Sequence, residues 1–231
     1  MVIGRSGSAD SSKFRPLIGG SAIQPSGASR DGTMGCFAKR NSDNKIVVLS
    51  NWHVLVEKTD VIDGDRVGQP THSGCCSCCS TNEIAAVTDG RFLTDDMDAA
   101  IAILDGQESD TIPTERYINE ILGIGIIAGA SEPLPLETVY KYGQNTGLTK
   151  GQIINDNYTT PTVYDVYDNL SVSRNSVYVI QPTGILDYFL KGDSGSVSVN
   201  ENNQVVLLNY AFTELHFTLA TSITRIASKL G

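Results

Sequence analysis

Short runs of β-branched and aliphatic residues recur along this chain, and polar turn clusters break them at near-regular intervals. Residues 45–49, 162–167, 176–180 and 204–208 are such runs, and residues 41–44, 63–64, 155–157, 191–195 and 200–203 are the clusters between them. Short strands bounded by Gly, Asn and Asp predict an all-β sandwich or barrel. Two segments, residues 115–122 and 223–230, predict helices. In the second, Ile223, Ile226, Ala227 and Leu230 follow i, i+3, i+4, i+7 spacing, one apolar stripe on a helix that closes the chain. Strand and helix patterns do not alternate, which argues against a doubly wound parallel sheet. No repeat of solenoid or propeller period is visible. Residues 1–16, rich in Ser, Gly and Asp, predict a flexible lead-in to one folded unit over 17–231. Gly, Ala and Pro concentrate over 123–136, so a crossing between two barrel-like halves is expected near residues 112–136.

Composition narrows the class without changing the fold. The chain has 231 residues, 40% of them hydrophobic and 19% charged, an ordinary globular balance. No apolar run approaches the roughly 18–20 residues that span a bilayer, so no membrane partner is expected. The first residues also lack the apolar core of a signal peptide. A net charge of −9 repels phosphate backbones, which argues against nucleic acid as a partner. Five cysteines, four of them crowded into Cys75-Cys76-Ser77-Cys78-Cys79, do not resemble a secreted disulfide framework. They predict reduced thiols and a cytoplasmic location. Cys75/Cys78 and Cys76/Cys79 have the spacing of zinc ligands, with His72 nearby. A distant second ligand pair is missing, so a surface loop is the stronger expectation, and no metal or cofactor is expected.

Three residues carry the chemistry. His53 is expected to end the apolar strand in residues 46–55, where a barrel presents working side chains, and only His72 and His216 compete with it as an imidazole base. Asp98 heads the small apolar run 99–104, where a partly desolvated carboxylate would accept an imidazole N–H. Ser194 lies in Gly192-Asp193-Ser194-Gly195-Ser196, where flanking glycines permit a sharp turn and let the Gly192 and Ser194 amides converge. A serine hydroxyl needs a base to take its proton, a carboxylate to orient that base, and donors for the oxyanion. His53, Asp98, Ser194 and the amide pair supply all four, in one of the known chain orders of this triad.

These segments resemble the chymotrypsin-like (trypsin-like) serine peptidase family. The resemblance rests on Leu49-Ser50-Asn51-Trp52-His53-Val54, Asp98-Ala99-Ala100-Ile101-Ala102 and Gly192-Asp193-Ser194-Gly195-Ser196. Residues 18–23, 32–36, 68–70 and 141–151 are similar to its bacterial and plant branch, so the likeness runs from about residue 16 to residue 230. It implies a double β-barrel and a serine endopeptidase. In that reading His53 is the general base, Asp98 its orienter, Ser194 the nucleophile, and Gly192 and Ser194 the oxyanion donors. It also implies that Tyr188 lies near the floor of the substrate pocket and that Asn209 and Tyr210 pair with substrate backbone. His216 either faces that pocket, where it would favour an acidic substrate side chain, or occupies a half-buried strand position. Arg15-Pro16-Leu17-Ile18-Gly19-Gly20 resembles an activation site, but proline after arginine blocks most such cleavage. Asp193 then needs another partner or sits at the surface. The expected partner is a protein or peptide substrate, with a regulatory protein as a restraint. Two other readings use the same residues: a catalytically silent peptide-binding module, and a hydrolase of small esters.

Overall fold

The computed structural model describes residues 12–26, 31–56, 64–71, 82–92, 96–107, 116–161, 163–165 and 170–231. The first half is built from β1 (Leu17–Gly19), β2 (Ala22–Pro25), β3 (Gly32–Thr33), β4 (Cys36–Lys39), β5 (Ile46–Ser50), the one-turn helix α1 (Trp52–Leu55), β6 (Arg66–Gly68), β7 (Glu83–Arg91) and β8 (Ala99–Leu104). A crossing segment follows with β9 (Tyr117–Ile121), β10 (Gly125–Ile126) and β11 (Gly129–Ala130). The second half contains β12 (Thr138–Gly143), β13 (Gly147–Tyr158), β14 (Val163–Asp165), β15 (Leu170–Val172), β16 (Val177–Pro182), β17 (Val197–Val199), β18 (Gln204–Phe212), β19 (Thr218–Ser222) and α2 (Ile223–Leu230).

In the first half, seven strands pair in the order β3-β2-β6-β7-β8-β5-β4 and curl into a half-barrel. In the second, β18-β17-β12-β13-β16-β19 closes into a six-stranded barrel because β18 also pairs with β19. The expected double barrel is the observed architecture, with one barrel closed and the other partly open.

Period-2 alternation explains how two thin sheets share one core. On β8, Ala100, Ala102 and Leu104 face the interior of the half-barrel, while Ala99 and Ile101 face the second half. On β5, Val48 points one way, and Val47 and Leu49 point the other. Both strands are therefore buried on both faces, which is why they read as unbroken apolar runs. The shared layer joins Cys36, Val47, Leu49 and Ile101 to Val197, Val199, Val205 and Leu208. Helix α2 seals it with Ile223, Ile226 and Leu230. Each such side chain contributes about 1.5–3 kcal/mol when fully buried. Ala227, expected on the same stripe, is exposed.

Three expectations need correction. Residues 117–121 form strand β9, not a helix, because β1 runs parallel to it from Leu17↔Tyr117 and β10 pairs antiparallel at Gly125↔Ile121. Tyr117, Ile118 and Ile121 suit a pleated surface, and available partners decide the state. His53 is not at a strand end: β5 stops at Ser50, and His53 rides on α1. Ser12–Pro16 do not hang free, since Gln69 Nε2 donates to Ser12 O (2.8 Å) and its Oε1 accepts from Phe14 N (3.1 Å) and Arg15 Nη1 (2.7 Å).

Candidate active site

Asn51 opens α1, and its side-chain amide donates to the Asp98 carbonyl at 2.7 Å. This contact ties the helical turn to the head of β8. His53 then meets Asp98 twice. Its backbone N–H donates to Oδ1 at 3.2 Å, and its ring Nδ1 lies 2.6 Å from Oδ2. The His53 side chain is 29% exposed and that of Asp98 only 4%, so the ring opens to solvent while the carboxylate is sealed behind it. Burial opposes ionisation of the Asp98 carboxyl. The His53 ring and its hydrogen bond, with the Arg174 charge, outweigh that and hold it below the usual carboxylate range.

Ser194 comes from the other half of the molecule. The turn that carries it is held by a buried carboxylate. Asp193 is fully buried, and its Oδ2 lies 3.0 Å from Lys141 Nζ, also fully buried, on β12. Four further donors complete the Asp193 shell: Asn145 N (3.0 Å), Thr146 N (3.2 Å), Thr146 Oγ1 (2.6 Å) and Leu190 N (3.1 Å). An ion pair inside a protein persists only when its remaining lone pairs are satisfied, and this one meets that condition. Burial pulls the Lys141 ammonium below the ordinary lysine value, while Asp193 pulls it back.

The same network orients the backbone beside Ser194. The Lys191 carbonyl accepts from Asn145 Nδ2, and the Gly192 carbonyl accepts from Thr33 Oγ1 at 2.9 Å. In a trans peptide the N–H points opposite to the preceding C=O, so capturing Lys191 O aims the Gly192 N–H the other way. Neither the Gly192 nor the Ser194 N–H donates to an acceptor among the described residues. Gly195, at φ +91°, has no room for a side chain: an added Cβ would lie 2.0 Å from Ser50 Oγ.

The two halves meet here. Thr33 N donates to Ser194 O at 2.7 Å. A Cβ at Gly32 would fall 2.5 Å from the Val54 side chain and 3.0 Å from Ser194 O, so the neighbour of His53 and the serine backbone flank one point. The Ser194 hydroxyl itself donates to the Tyr210 carbonyl at 3.4 Å and makes no hydrogen bond to His53.

The other expected residues fare differently. Tyr188 is fully buried; its hydroxyl pairs with Ser198 Oγ at 2.7 Å, and the Lys141 ammonium lies 5.4 Å from its ring centre. The Asn209 side chain is also buried, donating to Ser196 O (3.0 Å) and accepting from Ser198 Oγ (2.9 Å). Tyr210 does reach Ser194, through its carbonyl. His216 is not half-buried on a strand. It is exposed in the β18–β19 loop at φ +62°, with Nδ1 3.0 Å from Asp187 Oδ1. Asp193 is not at the surface, because Lys141 supplies its counter-charge. His72, Cys75, Cys76, Cys78 and Cys79 lie outside the described residues. Among the described residues no group of three or more His, Cys, Asp or Glu side chains could hold a metal, and no helix is long and apolar enough to cross a membrane.

Lys141, Thr33 and Arg174 are the contributors that sequence reasoning missed. For Lys141 a signal existed. Val139, Lys141 and Gly143 occupy the inward phase of β12, where an unpaired lysine would be costly.

No protein-family profile matches the chain, and no curated relative matches its sequence. Solved structures do match. A Nocardiopsis protease (NAPase) superposes with a TM-score of 0.63 at 15% identity, covering 93% of this chain and 96% of that one. A Cellulomonas bogoriensis chymotrypsin gives 0.61 at 16%, over 92% and 94%. Thermobifida fusca protease A gives 0.61 at 17%, over 92% and 94%. The chain therefore has the chymotrypsin-like double-barrel fold of bacterial serine proteases.

Proposed function

We propose that the protein is a serine endopeptidase that cleaves peptide bonds through an acyl-enzyme on Ser194. The observation that carries this reading is the contact of His53 Nδ1 with the sealed Asp98 carboxylate, together with a serine whose own N–H and that of Gly192 meet no acceptor among the described residues. In that reading Asp98 fixes the tautomer with the proton on Nδ1 and leaves Nε2 as the base. The Ser194 hydroxyl turns from Tyr210 O, gives its proton to Nε2, and its oxygen bonds to the substrate carbonyl carbon. The Gly192 and Ser194 N–H groups hold the oxyanion. The imidazolium then protonates the leaving amine, and water releases the acyl group by the same steps in reverse. Substrate backbone has an edge to pair with. β17 ends its pairing with β18 at Leu208, and the strand continues through Tyr210 to Phe212 beside Ser194.

One observation favours a second reading, a catalytically silent peptide-binding module. The Ser194 hydroxyl rests on Tyr210 O rather than on His53. A fluorophosphonate probe separates the two. The peptidase reading expects labelling at Ser194 that Ser194→Ala abolishes. A folded wild-type protein that resists the probe yet binds peptide equally well with Ser194→Ala supports the silent module. Peptide against small-ester substrates then tests the ester-hydrolase alternative.

A further inference from the structure

The sheets of the two halves each end in a strand paired on one side only, β4 in the first and β11 in the second. Both strands line one cleft of about 380 Å³ in the seam between the halves. Its floor is the shared apolar layer, with Leu49 and Ile101 from one half and Val205 from the other. Helix α2 adds Ile223, Ile226 and Leu230 as a wall. Asn41 N donates to Gly231 O at 2.6 Å, which ties the end of α2 to the chain just past β4. His53, Asp98 and Ser194 do not line this cleft, and the chemistry above makes no use of it.

The cleft runs along the edge of β4 and not beneath one of its faces. Every residue from Cys36 to Asn41 lines it, both side-chain phases included, whereas a cavity under a sheet face touches alternate residues. The hydrogen-bond phase agrees. Arg40 N donates to Lys45 O at 2.8 Å, while the Ile46 backbone turns away to the Gln107 side chain, donating at 2.7 Å and accepting at 2.6 Å. Antiparallel pairing alternates, so Phe37 and Lys39, opposite Val48 and Ile46, point their N–H and C=O groups away from β5. Among the described residues neither backbone meets a partner there. Native sheets cover such an edge or charge it. The Lys39 side chain is exposed and forms no ion pair among the described residues, while Arg40 is engaged by Asp43.

We propose that this cleft is a docking site for an extended peptide segment of a partner protein, which adds a strand to β4. The segment carries apolar side chains at alternate positions, turned onto Ile223, Ile226 and Leu230, and an acidic residue opposite Lys39. Unmet N–H and C=O groups along the edge call for an extended backbone, since a small apolar molecule would leave them without partners. The apolar lining selects every second side chain of such a strand. A lone ammonium beside the edge selects a carboxylate as its cross-strand neighbour. β4 has four residues, so about four residues of partner, roughly 13 Å at about 3.3 Å each, span it. A second copy of this chain presents a β4 recessed in the same way between α2 and Asn119 of β9, which disfavours edge-to-edge pairing. The site is separate from the β18 edge beside Ser194, and the proposal does not rest on the peptidase reading.

The test is amide hydrogen exchange, read by NMR on the full chain. The probe is a library of acetylated five-residue peptides with valine or isoleucine at the first, third and fifth places and Glu, Gln or Lys at the fourth. In the free protein the Phe37 and Lys39 amides should exchange without protection at every protein concentration. Glu-bearing peptides should slow both amides and bind ahead of Lys-bearing ones by roughly three- to tenfold, the size of one cross-strand charge pair. Lys39→Glu should reverse that order. Ala227→Trp, at an exposed position on the α2 wall, fills the cleft and should abolish binding while leaving fluorophosphonate labelling of Ser194 at its wild-type level. Protection of both amides in the free protein at all concentrations would identify the occupant as this chain itself, and protection that rises with concentration would identify a second copy; either overturns the proposal. So do peptides that leave both amides unprotected, peptides that bind Ala227→Trp equally well, and an order of preference that Lys39→Glu leaves unchanged. The exchange measurement needs no turnover, so an inert protein would sink the peptidase reading alone.

Discussion

Asp98 is the residue on which the proposed chemistry turns, and its surroundings set two expectations. Asp98→Asn keeps the shape but reverses the hydrogen bond to His53 Nδ1, so kcat should fall about 10³–10⁴-fold, the scale seen for a wrong tautomer in such triads. Single-turnover kinetics on a peptide substrate reads it. The second expectation concerns acid. The folded carboxyl titrates below its ordinary value of about 3.9, so its stabilisation is complete above that value and is lost as pH falls through the lower, folded one. Urea midpoints measured from pH 6 down to pH 2 should fall more steeply for wild type than for Asp98→Asn. Parallel curves would contradict that assignment. Cys36 gives a simpler case. Burial among apolar side chains pushes its thiol up to about 12, so no thiolate forms at neutral pH. Alkylation of the native protein, followed by peptide mass spectrometry, should leave Cys36 unmodified until denaturant is added.

At the scale of elements, β12 and the 191–195 turn act as one unit. Lys141 comes from the inward face of β12 and Asp193 from the turn, and removing either leaves the other charge buried alone. Lys141→Met should therefore cost about 3–5 kcal/mol, measured by chemical denaturation. Any folded fraction should also label slowly with the fluorophosphonate probe, because the Asp193 carboxylate that anchors the turn of Gly192 and Ser194 loses its counter-charge. Lys141→Arg should recover part of the stability. The sequence announced the turn through its two glycines, since few other residues tolerate φ near +91° or such close backbone approach. It did not announce the partner. The lysine lies 52 residues before Asp193, and pairing at that separation depends on how β12 docks beside the turn. The strand at residues 117–121 went unread for a related reason. Helical spacing and strand alternation are nearly indistinguishable over five residues, and β1, far upstream, decided between them.

Across the whole molecule, the two halves are not independent. Val47, Leu49 and Ile101 on one side pack against Val197, Val205 and Leu208 on the other, under α2. Neither half keeps this layer buried without its partner. Calorimetry should show a single transition whose van't Hoff and calorimetric enthalpies agree, and residues 129–231 produced alone should not unfold cooperatively. Two resolved transitions would show that the shared layer contributes little.

Alternating and continuous apolar runs, turn clusters and one amphipathic stripe were enough, by themselves, to specify an all-β chain with a closing helix. Local chemistry around positions 53, 98 and 194 was enough to nominate the candidate site, because short-range constraints such as glycine turns and a carboxylate heading a buried strand leave marks in adjacent residues. Tertiary structure alone decided which charges face each other: Lys141 with Asp193, Arg174 between Phe92 and Tyr210, His216 with Asp187. It also decided that Tyr188 and Asn209 turn inward. Such pairings form between segments distant along the chain, where geometry is set by the closure of the barrels, and no local pattern encodes it.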